Sequence, residues 1–159
     1  MAGSNGFNIA EEGHLMQILT PADLGGTATR TSLYINMEGY EKCQIILNVG
    51  VSAGTATAIL YESSDGSGSA VTAIAGAYYA EVTESGDTLG ERTALATTGL
   101  TIPATAGTFI LIDVDASALT AGYPYLNLRL SALDSTTVTC ATAILSGARY
   151  GSDQSATAQ

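Results

Sequence analysis

The sequence predicts an all-β fold, a single β-sandwich or jelly-roll-like domain with an extended N-terminal arm, and three observations carry that reading. Apolar and polar residues alternate with a period of two in segments of five to eight residues, and turn signals rich in Gly interrupt them about every dozen residues. The polar residues are mostly Thr and Ser, Lys occurs once (Lys42) and Trp is absent, whereas a helical surface is built from Glu, Lys, Arg and Gln. No stretch carries a convincing 3.6-residue period. A chain of 159 residues has room for one domain, and its 46 % hydrophobic content sets it apart from a disordered polymer.

Residues 1–28 read as the arm, 29–151 as the sandwich and 152–159 as a flexible C-terminal tail. In the arm, Phe7 to Leu19 lacks clean alternation and runs into the breakers Thr20-Pro21 and Gly25-Gly26. Its Leu15, Met16, Ile18 and Leu19 have to be buried on the chain's own domain or on a neighbour. Thr31 to Asn36 is the first alternating strand, with Leu33 and Ile35 on one face and Ser32, Tyr34 and Asn36 on the other. Glu38-Gly39 turns the chain into Lys42 to Val49, whose Cys43, Ile45, Leu47 and Val49 share a face as in a central sandwich strand. Thr55 to Glu62 follows, then a Ser/Gly connector from Ser63 to Ser69, then a strand from Ala77 to Val82. Thr108 to Val114, Pro124 to Leu130 and Thr136 to Leu145 complete the series, with Val138, Cys140, Thr142 and Ile144 on one side of the last. Ala116 to Leu119 fits one helical turn capped by Asp115.

Charge excludes several functions. Fifteen acidic against five basic residues give a net charge of −10, so a phosphate backbone or an anionic membrane is repelled. No apolar run approaches the length of a membrane-spanning helix, and Met1 to Gly6 lacks the charged and apolar regions of a signal peptide. Direct nucleic-acid binding, membrane insertion and export are therefore not expected.

Chemistry is sparse. A nucleophilic hydrolase needs a histidine base beside its nucleophile, and the one histidine, His14, sits in the arm. Cys43 and Cys140 match no metal-ligand spacing and read as separate thiols. Asp113 and Asp115, at i and i+2 on a strand, aim at the same face and are the weak candidates for a cation; a solvated strand end is the simpler reading. Gly66 to Ala70 has the composition of a phosphate cradle, but no helix follows it. Neither a catalytic function nor a cofactor is expected. Tyrosine stands out, with eight Tyr beside two Phe. It offers amphipathic contact area at low entropic cost. Adjacent strand residues point to opposite faces, so one of Tyr78 and Tyr79 stays outside the core. The residues expected at an interface are Phe7, Ile9, Leu15, Met16, Ile18 and Leu19 from the arm, with Tyr78, Tyr79, Tyr123, Tyr125 and Tyr150.

Six strings carry a resemblance: Glu12-Gly13-His14, Pro21-Ala22-Asp23-Leu24-Gly25-Gly26, Ile46-Leu47-Asn48-Val49-Gly50-Val51, Tyr78-Tyr79-Ala80-Glu81, Ile112-Asp113-Val114-Asp115-Ala116-Ser117 and Ala143-Ile144-Leu145-Ser146-Gly147-Ala148-Arg149-Tyr150. Together they resemble a family of short structural proteins of tailed bacteriophages and prophages. The resemblance implies a virion component, a decoration or cement protein on the capsid exterior, made in the host cytoplasm. Its implied partners are the major capsid protein and further copies of itself, as a trimer. Two alternatives stay open. One is a place in the tail or at the head-to-tail joint. The other is a carbohydrate-binding or adhesive sandwich in which Tyr78, Tyr79, Tyr123 and Tyr125 stack on sugars while Asp113 and Asp115 hold Ca²⁺.

Overall fold

Period-two segments become strands, and their inward faces close the fold. The computed structural model describes residues 9, 13–23, 29–50, 54–81, 89–104, 107–131 and 137–148. Its strands are β1 (His14–Asp23), β2 (Thr29–Thr31), β3 (Ile35–Asn36), β4 (Lys42–Val49), β5 (Ala56–Ser63), β6 (Val71–Ala73), β7 (Gly76–Glu81), β8 (Thr93–Leu95), β9 (Leu100–Ile102), β10 (Thr108–Asp115), β11 (Tyr125–Ser131) and β12 (Val138–Ser146). A 3-10 turn, Ala116–Ala118, follows β10; Asp115 stands at its N-cap, but its side chain makes no capping hydrogen bond.

Two antiparallel sheets form an all-β sandwich. The first has the order β1-β12-β4-β10-β7-β8 and the second β2-β11-β5-β6, with β3 also beside β11 and β9 beside β5. Pairing is nested: β1 lies against β12, β2 against β11, β4 against β10 and β5 against β6. Between the sheets, Cys43, Ile45 and Leu47 of β4, Ile110 and Ile112 of β10, and Ala143 and Leu145 of β12 meet Leu60 of β5 and Leu126, Leu128 and Leu130 of β11. Large and small residues alternate across the strands, Ala141 opposite Leu47 and Ala58 opposite Leu130, so that the layers interdigitate. Burial, and secondarily the nearby Asp113 carboxylate, pushes the Cys43 thiol far above its ordinary value, so it stays protonated and inert.

Of the two places left open for the apolar residues of the arm, the described part takes the chain's own domain. His14–Asp23 is an edge strand of the first sheet, and Met16, Ile18 and Leu19 are buried in the core of their own domain. Of its large apolar residues Leu15, 54 % exposed, points away from it. The first alternating strand is also interrupted. Ser32 donates its N–H to the Leu128 carbonyl, and its hydroxyl accepts the Leu128 N–H, taking two ladder positions at one residue. Leu33 and Tyr34 then bulge opposite Asn127, so Leu33 is exposed while Ile35 is fully buried. In β12 the inward residues are Thr139, Ala141, Ala143 and Leu145, which places Val138, Cys140, Thr142 and Ile144 on the outer side.

Candidate interaction surface

The first sheet carries an apolar stripe on the face turned away from the core. Register aligns Thr142, Ile46, Leu111 and Tyr79 across β12, β4, β10 and β7, all of them half-buried. Cys140, Asn48 and Phe109 form the next row. A solvated sheet face ordinarily alternates to polar residues. Here the two central strands instead put Ile46 directly opposite Leu111, with Phe109 two residues along. Toward the β1 edge, Leu15 and Val138 add exposed apolar surface. Ile144, opposite Leu15, is covered by the chain at Gly13, where a Cβ would come within 2.9 Å of the Ile144 Cγ2.

Below this stripe stand the two carboxylates proposed for a cation. Asp113 is buried, and its Oδ2 accepts an ion pair from Lys42 Nζ at 3.0 Å, while Asp115 is exposed and lies opposite Lys42 in the register. The cation that Asp113 holds is therefore the lysine ammonium. Among the described residues no group of three or more His, Cys, Asp or Glu converges as a metal site.

The predicted tyrosines do not form one platform. Tyr78 packs against the core and Tyr79 lies on the opposite face. Tyr123 belongs to the loop before β11, and Tyr125 to the outer face of the second sheet. His14 stacks on Tyr40 with ring centroids 6.1 Å apart, at the start of β1. Ile9 is half-buried, and its carbonyl accepts the Gly13 N–H. Phe7, Tyr150 and the tail 152–159 lie outside the described residues.

Sequence reasoning passed over the tyrosine cluster that does form. On the outer face of the second sheet Tyr61 lies opposite Asn127, with Tyr125 and Arg129 two residues to either side along β11. The Arg129 guanidinium sits 4.5 Å from the Tyr61 ring centroid, in cation–π contact. Tyr34 reaches from the bulge to Gly68 in the turn between β5 and β6. Asp65 organises that turn. Its Oδ1 accepts the Ser67 N–H at 2.9 Å, the Ser67 hydroxyl at 2.9 Å and the Ser69 N–H at 3.1 Å.

Hydrogen bonds from Ser69, and then from Ser67, hold the Asp65 carboxyl well below the usual carboxylate range. A pKa depressed by folding contributes order above the unfolded value of about 3.9 and loses it as pH falls below that. The turn over residues 64–70 is expected to stay closed from neutral pH down to about pH 4. Below that it loosens, read as faster proteolytic nicking there, and Asp65→Ala loosens it at every pH.

At one end of the sandwich, Met37, Leu119, Thr120, Tyr123 and Pro124 line an open cleft of about 250 Å³. Behind it the buried Glu62 carboxylate accepts the Thr120 N–H at 2.7 Å and fixes the loop after β10.

The sandwich is similar to the SPBc2 prophage-derived protein YomS, at 13 % identity and a TM-score of 0.47, over 85 % of this chain and 94 % of that one. Weaker likenesses are a structure of infectious bursal disease virus, Gt strain (12 % identity, TM-score 0.22, 84 % of this chain and 39 % of that chain), and an 11S globulin from Wrightia tinctoria (10 %, 0.21, 89 % and 27 %). No protein-family model matches the chain, and no curated protein sequence does either.

Proposed function

We propose that this protein is a structural component of a bacteriophage particle, a decoration or cement protein that binds between capsomers on the head exterior as a trimer and works by contact alone. The observation that carries the reading is the outward stripe of Ile46, Leu111, Phe109 and Tyr79 on a sheet whose other face is fully packed. A rigid sheet backed by a core presents such a stripe without reorganising, and its burial supplies roughly 25 cal/mol per Å² of apolar area. Symmetric self-association repeats the same contact at every copy. The strings that resemble phage structural proteins point the same way. The nested strand order supports reading the sandwich as a jelly roll, an architecture common to capsid and lectin domains.

The grip then passes from the N-terminal arm to the sheet face, because β1 is used at home. The partners are the major capsid protein and further copies of this chain. The surplus of acidic side chains keeps the free protein off packaged nucleic acid during assembly in the host.

Leu111→Asp tests the reading, since it puts a charge in the middle of the stripe and leaves the core untouched. The variant is expected to fold with an unchanged circular dichroism spectrum. It should sediment as a monomer and bind phage heads at least about thirtyfold more weakly than the parent. Undiminished attachment and assembly by this variant would remove the sheet face from the account.

A further inference from the structure

The outer face of the second sheet holds a polar group with nothing to do. Asn127 alternates with the inward Leu126 and Leu128, so its side chain points away from the core, yet none of its surface is exposed. Neither its Oδ1 nor its Nδ2 has a hydrogen-bond partner. Ser63, outward on β5 opposite Tyr125, is equally covered. The two strands beside this row lead to the turn 64–70, which follows β5, and to Tyr34, which lies in the bulge opposite Asn127. Gly68 meets the Tyr34 phenol so closely that a Cβ on Gly68 would collide with the Tyr34 hydroxyl. Held together internally by Asp65, the turn is joined at its base by a long backbone bond, Ser64 N–H to the Ala70 carbonyl at 3.4 Å. The Asp65 N–H also donates to the Ser63 hydroxyl at 3.3 Å, and Ser63 pairs with Val71 beneath the turn.

An amide buried without partners is costly, and the cost is recovered when a ligand supplies both a donor and an acceptor. Asn127 offers one acceptor and two donors side by side, the pattern that two neighbouring hydroxyls of a sugar ring satisfy. Tyr61 and Tyr125 flank it on the same face and provide amphipathic rings for the apolar edges of such a ligand. A net charge of −10 disfavours an anionic ligand.

We infer that the outer face of the second sheet is a binding site for a neutral saccharide, centred on the Asn127 amide between Tyr61 and Tyr125 and covered in the free protein by Tyr34 and the turn 64–70. The site lies on the sheet opposite the apolar stripe, so it is independent of the attachment reading above. Binding lifts the turn, breaks the contact of Tyr34 with Gly68 and gives the amide its partners.

The full chain is titrated with chitotriose, cellotriose, maltotriose and mannotriose, followed by calorimetry and by amide NMR shifts at residues 64–70 and 127. At least one of these is expected to bind and to shift both sets of signals. Tyr34→Ala, which removes half of the cover, binds it more tightly. Asn127→Leu loses at least about tenfold in affinity with no fall in melting temperature, because a leucine there leaves no polar group unpaired. Two results overturn the inference: no binding by the parent chain and none by Tyr34→Ala, or undiminished binding by Asn127→Leu. Head attachment, measured on the same variants, stays at the parental level if the two sheet faces act separately.

Discussion

Replacing Arg30 with methionine is expected to destabilise the protein by about 3 kcal/mol and to lower its melting temperature by roughly 6–12 °C. Arg30 stands on β2 of the second sheet, and its guanidinium crosses to the first. Nη1 donates to the Thr139 carbonyl at 2.6 Å and to its hydroxyl at 2.8 Å, and Nη2 donates to the Thr20 carbonyl at 2.8 Å. The Leu33 N–H takes the Ile18 carbonyl on the same strand. Together they occupy acceptors that the edge strand β1 turns outward, and they fasten β1, β12 and β2 into one corner. Hydrogen bonds to a charged group are worth about 1.5–3 kcal/mol each. Thr20 is exposed and recovers water when the guanidinium is lost, whereas Thr139 is fully buried and does not, so the sum falls short of three full bonds. Methionine keeps the apolar stem, which confines the change to the polar head. Arg30→Lys should restore less than half, since an ammonium cannot span acceptors on two strands. A shift under about 2 °C for the methionine variant would show that the corner is held by packing alone.

Gly99→Ala is the second large effect, again about 3 kcal/mol. Gly99 ends the turn from Ala96, to whose carbonyl it donates at 2.9 Å, and that turn carries the chain from β8 in one sheet to β9 in the other. Its φ is +87°, and a Cβ there would lie 2.5 Å from the Ala58 carbonyl oxygen and 2.6 Å from the Ile59 Cγ1. The left-handed backbone costs an alanine about 1 kcal/mol. The collision adds more, because Ala58 belongs to the hydrogen-bonded ladder of β5 and cannot move aside. Gly122 isolates the first term: its φ is also +87°, but nothing lies within 4 Å of a Cβ there. Gly122→Ala should therefore cost only about 1 kcal/mol, and equal urea midpoints for the two variants would discredit the steric argument.

How legible the molecule was from its residues depends on how strictly each segment alternates. Cys43, Ile45, Leu47 and Val49, or Ile110, Ile112 and Val114, sit at perfect two-residue spacing, and their strands are recognisable by inspection. Strand β1 is not. Its register slips between Gln17 and Leu19 and again between Leu19 and Ala22, so Ile18 and Leu19 are both buried although consecutive, and the period disappears. Three-residue strands such as Val71–Ala73 and Thr93–Leu95 are too short to show any period. The surfaces were harder still. Ile46 and Leu111 are each a single apolar residue on the outer side of a strand, and only their pairing in register makes a stripe. Asn127 alternates with Leu126 and Leu128 as a solvent-facing residue would, and nothing in its local sequence shows that it is buried. Tyr78, Tyr79, Tyr123 and Tyr125 were chosen by type, and the topology sends them to separate places.

The pairing of β1 with β12 governs how the chain folds. His14 lies beside Leu145, so a ribosome must deliver nearly all of the domain before the earliest strand gains its neighbour. Since β12 also separates β1 from β4, the backbone groups along one side of β4 stay unpaired until the last strand is synthesised. Contacts between residues so far apart in sequence close slowly. Nascent chains of this protein are therefore most vulnerable to sticking to one another before β12 has been made, and truncation ahead of Val138 should yield aggregates rather than a smaller soluble body.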